Sequence, residues 1–153
     1  MRRPLLSAAI AIVGIVTGIA VPATISASPA TADPAPEPCT WCDTPNVQFF
    51  ASPSGNISCQ IDYRRGSSPD SAYCVSFTPP QHVSMDDQGL LSICSGGDSC
   101  LSNPPGGQPT LEYGQSKGIG PFVCLSETSG MTCTVAASGR GFTISRSGIA
   151  PAG

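Results

Sequence analysis

The fold is decided by the stretch Gly120-Pro-Phe-Val-Cys-Leu-Ser-Glu-Thr-Ser-Gly-Met-Thr-Cys-Thr-Val135, followed closely by Ser138-Gly-Arg-Gly-Phe-Thr-Ile-Ser-Arg146. Short runs of β-branched and aromatic residues alternate here with glycine turns, which is typical of antiparallel strands joined by hairpins. Cys124 and Cys133 flank the first turn. Opposed residues in a hairpin lie about 4.5–5.5 Å apart, within reach of a disulfide. This stretch therefore predicts three short strands with one disulfide across the first turn.

The rest of the chain continues the pattern. Asn56 to Tyr63 alternates apolar and polar residues with the period of a half-buried strand. Further strands are predicted at 47–51, 72–77, 89–94 and 110–113. Thr78-Pro-Pro80 is expected to stop a strand, 81–88 is ambiguous and could hold one helical turn, and 114–120 reads as a flexible linker. We find no amphipathic helix and no repeat of fixed period. The sequence predicts an all-β fold, a small disulfide-stapled antiparallel meander, sandwich or barrel-like, with little or no helix in the mature domain.

The first 32 residues have the features of a secretory signal peptide. Arg2 and Arg3 precede the apolar run 5–21, and Ala30-Thr-Ala32 is a small-residue cleavage signal. The alternative, a membrane anchor, is disfavoured because the run is short for a bilayer and a cleavage signal follows it. No second apolar segment is present, so we expect no membrane span after signal removal. The predicted organisation is a signal peptide (1–32), a proline-rich leader (33–46), a single all-β domain (47–147) and a tail (148–153).

The charge balance disfavours two classes of partner. Loss of Arg2 and Arg3 with the signal moves the formal net charge from −3 to −5. Nucleic-acid binding needs clustered Lys and Arg, and adhesion to an anionic membrane surface needs a basic patch. The mature chain has only five scattered cations. We therefore expect neither partner.

All eight cysteines lie after the signal peptide. In an exported chain of this size, that number predicts a disulfide framework. Many pairings are open to eight cysteines, but local spacing favours nearest neighbours. The predicted bridges are Cys39–Cys42, Cys59–Cys74, Cys94–Cys100 and Cys124–Cys133.

The leader motif Cys39-Thr-Trp-Cys42 also has the spacing of a redox site. A thioredoxin-like site needs a preceding strand and a following helix, whereas here a proline-rich tail precedes the motif and Pro45 follows it. A structural bridge is therefore favoured over a redox, metal or intermolecular role. Zinc would need two more ligands, and His82 is the only histidine, so neither metal nor cofactor is expected.

Five motifs resemble those of a family of exported actinobacterial, mycobacterial-type proteins of unknown function. They are Ser52-Pro-Ser-Gly-Asn-Ile-Ser-Cys59, Leu111-Glu-Tyr-Gly114, Gly120-Pro-Phe-Val-Cys-Leu-Ser126, Gly130-Met-Thr-Cys133 and Gly139-Arg-Gly-Phe-Thr-Ile-Ser-Arg146. They are similar to the family patterns SPSGNIxC, LxYG, GxxCxS, GxxC and GxGFxxSR across about residues 49–147, although three residues rather than two separate Gly120 from Cys124. The chain departs from the family at Val83, near which members often have a cysteine, and in the added Cys39-Thr-Trp-Cys42. The resemblance implies a secreted or envelope-associated protein with no assigned activity.

The sequence contains few of the residues and motifs that catalytic sites use. One histidine and no Ser-x-x-Lys argue against a serine nucleophile, and we predict no catalytic residue. A carboxylate pair for glycan cleavage could be drawn from Asp62, Asp86, Asp87, Glu112 and Glu127, although solvated surface acids explain them equally well.

The candidate ligand-binding residues are Ser54, Asn56, Tyr113, Arg140 and Arg146. Each has a simpler alternative. The Ser54-Gly-Asn56 segment reads first as a turn, and Arg146 as a strand-end cation or one half of a fold-locking ion pair.

The sequence thus predicts a monomeric, secreted or cell-envelope-associated binding domain without catalytic activity. Its partner would be an envelope or extracellular protein or glycan. The alternatives are a carboxylate-dependent envelope glycan hydrolase and a purely structural surface protein.

Overall fold

A computed structural model describes residues 37–153 of the chain, so the predicted signal peptide lies outside the described residues. The described residues form ten strands in two five-stranded antiparallel sheets. The first sheet contains β1 (Val47–Ala51), β2 (Ile57–Asp62), β3 (Ser71–Phe77), β4 (Pro80–Asp86) and β5 (Leu91–Ser95). The second contains β6 (Ser116–Ile119), β7 (Phe122–Glu127), β8 (Gly130–Val135), β9 (Gly141–Ser145) and β10 (Gly148–Ala152). The prediction of an all-β fold is confirmed.

Each sheet is a simple meander, in which strands that follow one another in the chain are neighbours in the sheet. The two sheets do not close on each other into a barrel. They share one feature that was not predicted from the sequence. In each sheet, a disulfide joins the second and third strands. The paired cysteines are 15 residues apart in the first sheet and 9 in the second, which hides the similarity from a search for a fixed period.

The main core lies between the two sheets. Alternate residues of each strand point inward, as the burial pattern of β4 illustrates. The largest fully buried side chains of this core are Phe50, Ile61, Val83, Met85, Phe122, Met131, Phe142 and Ile144. Both cross-strand disulfides belong to the same core, since Cys59, Cys74, Cys124 and Cys133 are all buried in it.

The structure contains four disulfides, and they join the four nearest-neighbour pairs that the sequence predicts. Cys59 and Cys74 are directly opposed on β2 and β3, and Cys124 and Cys133 on β7 and β8. Cys94–Cys100 closes the loop after β5 around a short 3-10 turn, Asp98–Cys100. No cysteine within residues 37–153 is free.

Three segments differ from their predicted conformation. The ambiguous segment 81–88 lies mostly in β4, the linker 114–120 contains β6, and the tail 148–153 contains β10. β6 and β10 are edge strands, where pairing with one neighbour suffices and the missing N–H of Pro151 is tolerated. Thr110, in contrast, makes only an isolated bridge to Ala51 rather than part of a strand.

The leader and the loop after β5 cover the outer face of the first sheet. The backbone N–H of Cys39 donates to the carbonyl of Gly107 at 2.9 Å. Ser58 Oγ donates to Gln108 at 2.9 Å, and His82 Nδ1 donates to the carbonyl of Cys100 at 2.8 Å. The leader from residue 39 onward is therefore packed into the domain. Among residues 37–153 there is no α-helix that could span a lipid bilayer.

Candidate ligand-binding cavity

A cavity of about 340 Å³ opens where three turns meet. The turns are the β1–β2 connection, the β7–β8 hairpin and the β9–β10 hairpin. Tyr113 forms a further part of the wall. In a meander, alternate turns lie at the same end of the strands, so the β7–β8 and β9–β10 turns are side by side. The topology of the second sheet thus builds one side of the cavity, and the first sheet supplies the other.

Four of the five predicted ligand-binding residues line this cavity. They are Ser54, Asn56, Tyr113 and Arg146. Arg140 does not, because it precedes β9 whereas Arg146 follows it, and the two lie about 20 Å apart along the strand. Arg140 instead lines a smaller cleft that includes Gly89 and Ala152. The structure therefore separates Arg140 from the other four.

The segment Ser52–Asn56 is held by its own side chains. Ser52 Oγ accepts the N–H of Ile57 at 3.1 Å and lies 3.1 Å from Ser54 Oγ. Ser54 Oγ accepts the N–H of Asn56 at 3.3 Å, and Gly55 supplies the positive φ of 68° that the turn requires. This segment forms the turn expected from its sequence, and the exposed Ser54 presents its hydroxyl at the rim.

The side chain of Asn56 is occupied by structural hydrogen bonds. Its Nδ2 donates to Ser76 Oγ at 3.0 Å and to the carbonyl of Thr78 at 3.1 Å, and its Oδ1 accepts the N–H of Thr78 at 2.9 Å. These bonds tie the β1–β2 turn to the β3–β4 turn. Asn56 thus fixes the wall of the cavity and has little capacity left for a ligand.

Arg146 and Glu127 are the charged residues of the cavity. Both are exposed. The ion pairs within residues 37–153 are Arg65–Asp62 and Lys117–Asp43, so neither Arg146 nor Glu127 has a described ionic partner. The strand-end interpretation of Arg146 fits its exposed position, and the interpretation as a fold-locking ion pair is not met by any described residue.

Sequence reasoning did not assign Glu127, Thr128, Ser129 and Ser147 to this site, although all four line the cavity. A usable signal existed. Glu127-Thr-Ser-Gly130 and Ser145-Arg-Ser-Gly148 are similar four-residue turns on alternate connections of one meander. Recognising the meander would have placed both turns at one end of the strands and Arg140 at the opposite end.

The cavity offers a guanidinium, a carboxylate, several hydroxyls and a tyrosine ring, and its described lining residues include no second carboxylate. Two acids, Asp70 and Asp86, line another cleft together. Asp70 accepts the N–H of Arg64 at 2.6 Å, and Asp86 accepts the N–H groups of Gln88 and Leu90 at 2.9 and 2.8 Å. Both acids therefore stabilise turns, and the carboxylate-dependent hydrolase gains no support from their contacts.

Three buried sulfurs, those of Cys59, Cys74 and Cys133, lie within 4.8 Å of one another. Thiolates bind metal ions, whereas these sulfurs are bonded in disulfides. In this oxidised state, the cluster is part of the core and supplies no thiolate ligand.

A comparison of the chain with protein-family models, with curated proteins and with solved structures finds no match. The resemblance to exported actinobacterial proteins stays a prediction, and the chemistry of the site carries the functional argument.

Proposed function

We propose that this protein is an extracellular or envelope-associated binding domain that holds an acidic glycan at the cavity between its three turns. The observation that carries the proposal is the position of Arg146. It lies in a cavity with Ser54, Asn56 and Tyr113, and it forms no ion pair with any described residue.

The charges and hydroxyls of the cavity favour this ligand class. A guanidinium presents several N–H donors in a plane, which suits a carboxylate or phosphate group. Glu127 can accept hydrogen bonds from sugar hydroxyls, while Ser54, Ser129 and Ser147 can both donate and accept. Tyr113 is 42% exposed and offers a ring face beside these polar groups. An acidic sugar combines an anionic group with many hydroxyls and is complementary to this set.

The compartment is inferred from the cross-links and the amino-terminal sequence. Four disulfides in a small domain fit an oxidising, extracellular environment. Secretion rests on the predicted signal peptide at 1–32. Membership of an actinobacterial envelope family rests on the motif resemblance and is part of the proposal.

The proposal is tested with the oxidised mature chain, residues 33–153, and paired oligosaccharides. One member of each pair carries uronate or phosphate groups, and the other is its neutral counterpart. We expect calorimetry or NMR titration to detect binding of the acidic member, weakened by salt because a charge pair is involved. Arg146→Ala is expected to lower its affinity about 10- to 100-fold, the effect of losing a charged hydrogen-bonded contact.

Arg140→Ala is the matched control, since it removes the same side chain at the other end of β9. It is expected to bind the acidic oligosaccharide like the unsubstituted protein. Equal binding of acidic and neutral members, or equal losses in both variants, would overturn the proposal. Cleavage of the oligosaccharide during the titration would favour the hydrolase instead.

A further inference from the structure

A second and larger groove, of about 570 Å³, lies on the outer face of the first sheet. Phe49, Tyr73 and Val75 contribute to its lining from the strands, Trp41 from the leader, and residues 102–106 from the loop after β5. Its volume is within the range of small-molecule sites in proteins. None of its residues lines the cavity between the turns, so the two sites are separate.

Trp41 is exposed but held in place. The residue is 55% exposed, and its ring packs edge-to-face on Phe49 with centroids 5.4 Å apart. The Cys39–Cys42 disulfide closes the chain around it, and the N–H of Phe49 donates to the carbonyl of Cys42 at 2.7 Å. Phe49 itself is only 7% exposed, so Trp41 stands on a buried support. An indole fixed in this way costs little conformational entropy when it contacts a ligand.

The rim of the groove combines hydrogen-bond donors with acceptors and has little net charge. Arg65 lines the groove, but its Nη1 is paired with Asp62 at 2.9 Å. Gln60 also donates to Asp62, which leaves its carbonyl oxygen available. Asn103 is exposed on the loop and provides both an amide donor and a carbonyl acceptor. The groove therefore suits a neutral, polar molecule that both donates and accepts hydrogen bonds.

We propose that this groove binds a neutral glycan chain, with a sugar ring lying against Trp41. Sugar rings have an apolar face for the aromatic residues and hydroxyls that donate and accept at the rim. A proline-rich peptide is the main competing occupant, but it offers carbonyl acceptors and few N–H donors. The available acceptor of Gln60 would then remain unused. In this scheme, the Cys39–Cys42 bridge positions Trp41, a role beyond stabilisation.

Trp41 is the only tryptophan in the chain, so intrinsic fluorescence reports on the groove directly. The oxidised mature chain, residues 33–153, would be titrated with the neutral hexasaccharides of glucose, mannose and N-acetylglucosamine. The peptide Asp-Pro-Ala-Pro-Glu-Pro would be titrated in parallel, to test the competing proline-rich occupant. We expect at least one hexasaccharide to shift the emission of Trp41 to shorter wavelength in a saturable way, and the peptide to leave it unchanged. A shift caused by the peptide alone, or by none of these probes up to about 10 mM, overturns the proposal.

Variants separate the groove from the other site. Trp41→Ala is expected to weaken hexasaccharide binding, measured by calorimetry, at least about tenfold, and Trp41→Tyr to restore part of it. The double variant Cys39→Ser/Cys42→Ser keeps the indole and is expected to bind several-fold more weakly, because Trp41 is no longer held. Arg146→Ala should not change the fluorescence titration, so failure of the acidic-glycan proposal would leave this result intact. Unchanged affinity in folded Trp41→Ala overturns the groove proposal.

Discussion

The Sγ atoms of Cys74 and Cys133 lie 3.7 Å apart in the centre of the core. Cys74 belongs to the disulfide of the first sheet and Cys133 to that of the second. The two cross-strand bridges are thus in contact between the sheets, and each is buried among apolar side chains. They act as packing groups of the core as well as covalent links.

This contact predicts that the two bridges stabilise the domain cooperatively. Removing Cys59–Cys74 by alanine substitution should lower the free energy of unfolding by about 3 kcal/mol or more, because a 15-residue loop is freed and buried sulfur is lost. Removing both core bridges should cost less than the sum of the separate losses, by about 0.5–3 kcal/mol, because the shared contact is lost only once. Equilibrium urea unfolding of the single-bridge and double-bridge variants measures the difference.

The Cys94–Cys100 bridge supplies the control for this measurement. It lies outside the main core cluster, so its removal should add to the loss of Cys59–Cys74 within about 0.5 kcal/mol. Strict additivity of the two core bridges, by the same criterion, would contradict the packing role inferred from the sulfur contact.

A second link between the sheets is made by Gln81. This residue is 3% exposed, and its Nε2 donates to the carbonyl of Ser145 at 2.6 Å, from β4 to β9. Gln81→Ala removes this bond inside the protein and is expected to lower the free energy of unfolding by about 1–3 kcal/mol. The matched variant Gln88→Ala changes an exposed glutamine and should remain within about 0.5 kcal/mol of the unsubstituted protein. Equal losses of unfolding free energy in the two variants would contradict a stabilising role for the Gln81 hydrogen bond.

Substitution of Asn56 tests whether its side chain stabilises the wall of the cavity or is free to contact a ligand. Asn56→Ala breaks three hydrogen bonds to Ser76 and Thr78 and should destabilise the domain by about 1–3 kcal/mol. Ser54→Ala, two residues earlier on the exposed rim, should cost clearly less. Thermal unfolding of both variants provides the comparison. A neutral Asn56→Ala would mean that its side chain is free to contact a ligand.

The sequence predicts the strands whose residues alternate cleanly and misses those that depend on neighbours. The alternation from Asn56 to Tyr63 corresponds to β2 at Ile57–Asp62. In β4, Gln81 obscures the pattern, because an inward glutamine that is hydrogen-bonded across the core looks like a surface residue in the sequence. β6 and β10 carry little β propensity and are ordered by pairing with β7 and β9.

The two candidate sites differ in the same way. Ser54 and Arg146 lie on hairpin connections, where local turn chemistry identifies them as rim residues. The groove around Trp41 requires the leader and the loop after β5 to fold onto one sheet face. Contacts such as Cys39 to Gly107 and Ser58 to Gln108 connect residues far apart in the chain. No local pattern encodes such contacts, so the groove could only be found in the structure.

Gly141 marks the place where β8 and β9 approach too closely for a side chain. A Cβ at this position would overlap the carbonyl oxygen of Cys133 and lie 2.7 Å from Thr134 Cα, and both are backbone atoms of the facing strand. Gly141→Ala must therefore separate β8 from β9 beside the core disulfide, with an expected loss of about 3 kcal/mol or more in urea unfolding. Gly139→Ala, in the preceding turn, meets no atom within 4 Å but requires a φ of +72°. Its expected loss is smaller, about 1–2 kcal/mol.

A loss for Gly141→Ala no larger than that for Gly139→Ala would contradict the close approach of the two strands. If Gly141→Ala does not fold while Gly139→Ala does, the larger penalty is established by that difference.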